Sequence, residues 1–407
     1  MIGTRRDSKS SPIFRRPPTI PLLTALISGS AIAYNLFLPS MPDIGRAFGV
    51  STLTVQSALI AFLVPYAVAQ FFYGGVSDRF GRRPTLLCGL AIYVLASLAC
   101  AASTSMTMLI AARIFQGVGA AGSMVMVRSI VRDLYDRKRS ARALAIISTV
   151  MVFAPAGAPA VGGYLHTQFG WQASFLFLAA LGTILFIYCV VRMAETNVVQ
   201  GTDLLGNFRA MVSGYGVLIR ERAFVAYSLN IGFLAGGMFA WFAGVPIVLI
   251  DSYGVRPDQF GYLMLTGTSG AFFGYASAIW LTGKLGVNRM IVIGTFIALC
   301  GGALYLALPL AGVLTPLAAL APMSLFGVGL ALAFPSVMAA AVSVRPNYAG
   351  TAAAINGLVQ YGTAALATLA VGLLPHATHL PLAWVIFILQ ACGMIAAIVG
   401  WRARPAE

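Results

Sequence analysis

The sequence has few charged residues, and among these very few are acids. Only 9% of its 407 residues are charged, and 11 Asp and Glu stand against 26 Lys and Arg. A soluble protein of this length would be expected to form two or three domains. The composition excludes that class, because 59% of the residues are apolar and apolar runs of about 20 residues recur along the whole chain. The sequence therefore predicts a protein with many membrane-spanning helices.

Cysteine and histidine are also scarce, which excludes several kinds of site. The five cysteines fall inside apolar runs without any CxxC or CxxH pair, so we interpret them as core residues and expect no metal site. His166, His376 and His379 map to outer connections, and none of the 11 acids lies in the middle of a span. A membrane-embedded enzyme would need catalytic side chains or a metal at depth, so the sequence predicts that the protein is not an enzyme.

The basic residues fall in short clusters between the apolar runs. We predict twelve spans, at about residues 20–42, 53–77, 84–103, 106–130, 141–165, 172–192, 223–250, 259–282, 288–310, 315–342, 348–373 and 382–402. With the N-terminus inside, 23 Lys and Arg lie in inner segments, only Arg46 and Arg256 lie in outer ones, and Arg113 lies within a span. This positive-inside distribution predicts that both termini are cytoplasmic. It also accounts for the net charge of +15 without a nucleic-acid partner.

The longest connection divides the chain into two similar halves. The segment 115–119, FQGVG, aligns with the segment 326–329, FGVG, and such weak internal symmetry is typical of transporters built by duplication. We therefore predict a cytoplasmic tail at 1–18, a six-helix bundle at 19–193, a cytoplasmic linker with a short surface helix at 194–221, a second six-helix bundle at 222–402 and a tail at 403–407.

Segment 74–84, GGVSDRFGRRP, packs four charges into six residues between two apolar runs. Its glycines allow two helices to approach and turn closely, and its arginines mark the cytoplasmic side. The order Gly-x-x-x-Asp-Arg-x-Gly-Arg-Arg closely resembles the loop between spans two and three of the major facilitator superfamily. The resemblance implies an all-α membrane protein of twelve transmembrane helices in two pseudo-symmetric six-helix bundles. It also implies a gate at these residues, the gate motif: Gly74, Asp78, Arg79, Gly81, Arg82 and Arg83.

Arg113 lies about two turns inside predicted span four, where an uncompensated cation is costly and usually functional. Its surroundings at 109–119, LxxxRxxQGxG, resemble the fourth-span motif of the superfamily, whose arginine lines the central cavity and takes part in proton coupling. The alternative is an arginine that snorkels to the membrane surface. Arg128 lies fifteen residues further, on about the same helical face, and is either a second functional cation or a positive-inside anchor.

Span five contains the sequence APAGAPAVGG at 154–163. Pro155 and Pro159 free backbone carbonyl groups and bend a helix, and Gly162 and Gly163 allow close packing. The segment resembles a motif of antiporters in the superfamily, although Ala158 replaces the glycine usual before the second proline. We therefore predict a bent span five.

Span one ends in the sequence NLFLPSMP at 35–42. It resembles the Asp-Met-Tyr-Leu-Pro-x-x-Pro segment of drug:proton antiporters of the bicyclomycin/chloramphenicol-resistance type, and the entry and exit of span six resemble the same subgroup. The resemblance implies drug efflux driven by a proton gradient, without a cofactor. Asn35 stands where the subgroup has a membrane-embedded aspartate, and an amide cannot carry a proton. The remaining candidates for coupling are the substrate's own charge and Arg113, Arg128, Asp43, Asp133 and Asp251.

A buried Arg113 without a carboxylate beside it predicts a cavity of positive potential, which favours neutral or anionic solutes. Polar and aromatic side chains at depth would line this cavity, although each of them alone is more often a contact between helices. The predicted cavity residues are Arg113, Asn35, Tyr66, Gln70, Gln116, Asn230, Phe233, Trp241, Tyr262, Asn356 and Gln360.

These patterns favour a monomeric transporter in the bacterial inner membrane that exports small organic molecules by alternating access. The first alternative is export of a metabolite made by the cell, such as a siderophore, an amino acid or a sugar. The second is facilitated uptake without proton coupling. A channel would lack the duplicated bundles and the gate motif. The expected partners are a small-molecule substrate and the lipid bilayer.

Overall fold

The computed structural model describes residues 17–197, 213–374 and 379–403. Over these ranges the chain is almost entirely helical, as the apolar runs predict. Most of the predicted N-terminal tail, the linker residues 198–212, His376 and the last four residues of the predicted C-terminal tail lie outside the described residues.

The helices divide into two sets of six spans. The first set is α1 (Ile20–Asn35) with α2 (Met41–Phe48), α3 (Thr52–Phe80), α4 (Arg82–Ala101), α5 (Met106–Leu134), α6 (Arg137–Phe169) and α7 (Gln172–Arg192). Residues 213–220 form a short helix, α8, in the part of the predicted linker helix that the structure describes. The second set is α9 (Arg222–Pro246), α10 (Pro257–Leu285), α11 (Val287–Leu310), α12 (Ala321–Ser343), α13 (Ala349–Leu373) and α14 (Leu380–Arg402).

Ten of these twelve spans are long and apolar enough to cross a membrane. The other two, α6 and α10, have 33 and 29 residues, which is also sufficient length. Helix α6 is rich in Ala and Gly, and α10 is rich in Gly, Ser and Thr. These two helices pack against each other, one from each set, and small residues allow such close contacts within a membrane.

The sequence predicted a single continuous span here. In the structure, two prolines interrupt the helix of this first span. Helix α1 ends at Asn35, a single turn of 3-10 helix follows at Leu38–Ser40, and α2 starts at Met41. Pro39 and Pro42 lie at the first positions of these two elements, where a missing backbone N–H does no harm. Helix α2 lies at one end of the molecule, which we call the α2 end.

The gate motif, predicted as a loop, is mostly helical. Helix α3 continues through Asp78 and Arg79 to Phe80, and α4 begins at Arg82. Gly81 alone forms the turn, with φ of +97°, a conformation that favours glycine. We call this side of the molecule the Gly81 end.

The two six-helix bundles repeat the same close helix contacts. In the first bundle, Gly117 of α5 packs against the backbone of Phe62 in α3, and in the second, Gly327 of α12 packs against Ala271 in α10. Likewise, Gly119 contacts the backbone of α4 and Gly329 contacts the backbone of α11. The aligned sequence segments therefore occupy equivalent positions, as expected for a duplicated bundle.

The largest contacts between the bundles are those of α3 with α13 and of α6 with α10. At the α2 end, Gly163 lies against the backbone of Pro257, and Gly261 lies against the backbone of Ala160. Gln56 of α3 also donates a hydrogen bond of 3.1 Å to the Ala243 carbonyl of α9. The two bundles are thus joined backbone to backbone at the α2 end.

Candidate functional site

Arg82 holds the gate motif together at the Gly81 end. Its guanidinium donates hydrogen bonds to Asp78 at 2.5 Å, to Ser77 at 2.5 Å and to Asp133 of α5 at 2.9 Å. Arg82 is only 7% exposed, so these charge-assisted bonds lie largely away from water. Asp133, which the sequence analysis named as a candidate for proton coupling, is therefore engaged by the gate motif.

Glu195, just beyond α7, also fastens the gate motif. Its carboxylate accepts hydrogen bonds from the backbone N–H groups of Arg82 at 2.8 Å and Arg83 at 3.1 Å, which are the unpaired donors at the start of α4. A Cβ at Gly81 would lie 2.6 Å from the Glu195 carboxylate, so the site requires glycine for space as well as for φ. Glu195 lies in the exit of span six, where the sequence shows a subgroup resemblance but no sign of this contact.

The other two arginines of the gate motif lie at its surface. Arg83 donates a hydrogen bond of 2.7 Å to the Val190 carbonyl of α7. Arg79 is exposed and lies 5.5 Å from the centroid of the Phe80 ring. Only Arg82 of the three therefore ties α3, α4 and α5 to one another.

Arg113 lies at the centre of the first bundle and is completely buried. It donates hydrogen bonds to the Ala33 carbonyl of α1 at 3.2 Å, to the Ala58 carbonyl of α3 at 3.3 Å and to the Gln116 amide oxygen at 2.6 Å. Gln116 in turn donates to Ser97 of α4 at 2.8 Å. Arg113 thus connects α1, α3 and α5, and none of the described acids forms an ion pair with it.

Aromatic rings take the place of a carboxylate around Arg113. Its guanidinium carbon lies 4.5 Å from the centroid of Phe62, 4.8 Å from that of Phe37 and 5.9 Å from that of Phe175. Such cation–π contacts stabilise a buried guanidinium without neutralising its charge. One of its nitrogens, Nη2, has no hydrogen-bond partner. The region behind these rings is therefore positively charged.

Asn35 is the last residue of α1 and is 4% exposed. Its amide nitrogen donates a hydrogen bond of 3.4 Å to the Ala31 carbonyl, and its amide oxygen has no partner. Arg113 bonds the nearby Ala33 carbonyl of the same helix, not Asn35.

Five aromatic rings from both bundles meet where the bundles face each other. Tyr34 contacts Phe239 with centroids 4.9 Å apart, Phe239 contacts Tyr361 at 6.1 Å, Tyr361 contacts Tyr66 at 4.9 Å, and Tyr66 stacks on Phe62 at 5.7 Å. We call these five residues the aromatic cluster. The sequence analysis anticipated Tyr66 but not Tyr361. The signal that it missed is the small residues Gly357, Thr368 and Gly372, which follow one face of α13.

Arg128 lies close to the aromatic cluster. Its side chain is exposed, and its charge acts on the phenol groups of both Tyr66 and Tyr361. Gln70, one turn beyond Tyr66 in α3, is half-buried, and its amide nitrogen has no partner. These polar groups surround the region between the bundles on the side of the cluster that faces the Gly81 end.

Several predicted cavity residues lie inside the second bundle instead. Asn230 donates to Thr295 of α11 at 3.2 Å and to the Gly393 carbonyl of α14 at 2.7 Å. The indole of Trp241 donates to the Ala319 carbonyl at 3.3 Å. All three bonds lie within one bundle, and the assignment of Asn230 and Trp241 to the cavity stays a prediction.

The other predicted cavity residues of the second bundle lie in several different surroundings. Asn356 accepts a hydrogen bond of 2.7 Å from Ser228 of α9, and Phe233 packs beside Gly393 of α14. Tyr262 is 67% exposed and lies outside the aromatic cluster. Gln360 is half-buried beside Tyr361 in sequence. Polarity at depth did not distinguish these positions, because contacts within a bundle use the same side chains.

A second group of charges lies at the α2 end. Arg46 of α2 forms an ion pair with Asp43 and also contacts Asp251 of the second bundle at 3.4 Å, and Asp43 contacts His166 of α6. Arg46 is the residue through which the charges of the two bundles meet. Asp43 and Asp251, two candidates for proton coupling, thus share one cation.

The four predicted residues of span five lie in α6, which is helical from Arg137 to Phe169 with Pro155 and Pro159 inside it. Gly162 packs against the backbone of Leu36, directly after α1, and Gly163 packs against Pro257 of the second bundle. Both glycines therefore permit backbone contacts that any side chain would block.

Two six-helix bundles that meet around an aromatic cluster, with arginines on both sides of it, define a multi-pass membrane transporter. The chain belongs to the Major Facilitator Superfamily, whose profile matches residues 23–368. The fold prediction of twelve helices in two pseudo-symmetric bundles is thereby confirmed, and the protein is a transporter and not an enzyme.

Proteins similar to this chain come from bacteria and include resistance transporters. It is 32% identical over 353 residues to the multidrug resistance protein D of Escherichia coli strain K12, with 86% of this chain and 87% of the relative covered. It is 29% identical over 382 residues to a chloramphenicol resistance protein of Pseudomonas aeruginosa, with 89% and 86% covered. The crystal structure of a D-xylose–proton symporter has the same fold, with a TM-score of 0.72, 15% identity, and 95% and 98% of the chains covered.

Proposed function

We propose that the protein exports small organic molecules, drugs among them, from the bacterial cytoplasm in exchange for protons. The names of the two resistance proteins support this activity. So do the motifs of the first half, which resemble drug:proton antiporters. The bilayer and the small-molecule substrate are its partners, the proton gradient is its driving force, and the monomer is its working unit.

The proposed mechanism is alternating access between two rocking bundles, residues 19–193 and 222–402, joined by the linker 194–221. We place the Gly81 end at the cytoplasm, because the sequence predicts 23 of the 26 basic residues in inner segments. The observation that carries the mechanism is the backbone contact of α6 with α10 at the α2 end, while Arg128 remains exposed on the other side of the aromatic cluster. This arrangement supports a state that is closed outside and open inside.

We assign proton coupling to Asp43 and Asp251. Asp133 is engaged by Arg82, and Asn35 cannot take up a proton. Asp43 and Asp251 both contact Arg46, so a proton on either carboxylate weakens the charge contact that joins the bundles outside. Arg113 stays charged and holds α1, α3 and α5 together as the first bundle moves.

Transport into proteoliposomes tests the proposal. With an acidic lumen, the purified protein should accumulate chloramphenicol against its gradient, and a protonophore should abolish the accumulation. Asp251→Asn should weaken the effect of the gradient. The matched control is Asp258→Asn, because Asp258 lies at the same end but pairs with the neighbouring Arg256. Entry that is equal with and without the pH gradient would refute proton coupling and support facilitated transport.

A further inference from the structure

Arg128 has no hydrogen-bond or ion-pair partner among the residues that the structure describes. It lies six residues before the end of α5, about 9 Å inside the helix terminus. Its side chain is exposed, and it forms no hydrogen bond or ion pair with any residue in the described ranges. One turn further, Arg132 is also exposed but donates to Ser129. A guanidinium that is left free near the inner end of a span is available to a ligand.

The groups around Arg128 are hydrogen-bond donors and aromatic rings. Tyr66 and Tyr361, one from each bundle, meet edge to face and hydrogen-bond to each other, and Arg128 is near both, so Tyr66 holds the Tyr361 phenol in place. The amide nitrogen of Gln70 is buried and has no acceptor. Phe62 extends the ring surface behind Tyr66. A ligand placed here would meet a flat apolar wall and several donors that converge from one side.

The acids described at the Gly81 end that could neutralise Arg128 form ion pairs with other arginines. At the Gly81 end, Asp78 and Asp133 pair with Arg82, and Asp136 pairs with Arg139. Arg113, behind Phe62 on the other side of the aromatic cluster, adds a second uncompensated positive charge to the first bundle. The positive potential of this region therefore attracts an anion and repels a cation.

We propose that Arg128, Tyr66, Tyr361 and Gln70 form a binding site for the carboxylate of a planar aromatic substrate. The guanidinium and the polar hydrogens bind the carboxylate, and the aromatic cluster packs against the ring system. This inference rests on the proposed export function and names aromatic acids, in their anionic form, as a substrate class. An anionic substrate also neutralises Arg128 while it is bound, so the site needs no acid of its own.

Equilibrium binding to the purified protein in detergent tests the site. The probes are 2-naphthoate and 2-naphthamide, which have similar shapes, and only the first carries a charge near neutral pH. Wild-type protein should bind naphthoate at least about tenfold more tightly than naphthamide. Arg128→Gln should remove this preference by weakening only naphthoate binding. Arg128→Lys should keep part of it, because charge without the planar fork remains. Tyr361→Phe should weaken naphthoate binding by a smaller factor.

The matched control is Arg132→Gln on the same helix, which should leave both affinities unchanged. Unchanged melting temperatures establish that the variants are folded. Equal binding of naphthoate and naphthamide by wild-type protein would overturn the proposal. An equal effect of Arg132→Gln and Arg128→Gln would also overturn it, because a general surface potential would then explain the preference. Binding requires no transport, so failed export with intact binding would count against the proposed function and not against this site.

Discussion

A single methyl group at Gly261 should open the α2 end of the protein. A Cβ at this position would lie 2.5 Å from the backbone nitrogen of Ala160 and 2.6 Å from the carbonyl oxygen of Pro159 in α6. Both atoms belong to backbone, so no side-chain rotation relieves the contact. The helices would have to separate by roughly 1 Å to reach ordinary contact distances, and crowding of this kind costs about 1–3 kcal/mol. Because this cost arises only in the closed state, Gly261→Ala should favour the open state by about 5- to 140-fold.

Cysteine labelling measures this shift. Leu53 of α3 lies against Gly372 of α13 across the interface at the α2 end. In a chain whose five native cysteines are replaced, Leu53→Cys should react slowly with a membrane-impermeant maleimide while this end is closed. Gly261→Ala should raise the labelling rate by the same factor, up to the rate of the fully open state.

Two further glycines provide controls for this experiment. A Cβ at Gly283, on the same helix, would meet no atom within 4 Å, so Gly283→Ala should not change the labelling rate. Gly270 packs against the Ser324 carbonyl within the second bundle, so Gly270→Ala should lower the melting temperature without opening the interface. Equal labelling of the wild-type and Gly261→Ala proteins would refute the argument that this helix contact closes the α2 end.

Three other predictions concern single side chains. Asp78→Asn should leave the protein inserted but slow transport in proteoliposomes, because Arg82 then has only Asp133 as an ionic partner; a wild-type rate across the pH range would contradict this. Arg113→Lys should retain part of the transport that Arg113→Ala loses, because lysine keeps the charge, and equal losses would contradict a role for that charge. Burial lowers the pKa of His379, which bonds the Tyr253 hydroxyl at 2.8 Å. The unfolded chain then binds the proton more readily, so stability should be lost as the pH falls through about 6.5. The melting temperature of His379→Gln should therefore depend less on pH between about pH 8 and pH 5 than that of wild type, and identical slopes would exclude this role.

The spans and the family were accessible to sequence analysis because the membrane constrains them strongly. Apolar runs of about 20 residues leave few alternatives to helices, and a cation such as Arg113 within a span stands out because it is costly. The prolines of span one are a sign of an interrupted helix, but the span was predicted as continuous. The gate motif was interpreted as a loop because charges usually mark connections, whereas the helix in fact continues through Asp78 and turns only at Gly81.

The residues that line the cavity are harder to predict from the sequence, for a reason that lies in the bundle itself. Helix α9 is buried on nearly all sides, so its polar residues face neighbours within the bundle as often as the opposite bundle. In the sequence, Asn230 and Tyr66 are both polar residues within an apolar span. In the structure, Asn230 bonds α11 and α14 of its own bundle, whereas Tyr66 contacts α13 across the interface. Long-range contacts decide between the two, and a single sequence does not contain them.

The contact of Glu195 with the start of α4 fixes the chain to the first bundle beyond the end of α7. Asn197 donates further hydrogen bonds to the carbonyl groups of Ser77 at 3.3 Å and Asp78 at 3.0 Å. The segment that follows α7 is therefore bonded to the end of α3, beside the turn at Gly81. The chain is therefore fixed to the first bundle as far as residue 197, and not only to the end of α7. A displacement of residues 195–197 acts directly on the turn between α3 and α4. The segment that leaves α7 and the gate motif therefore move together as one part of the first bundle.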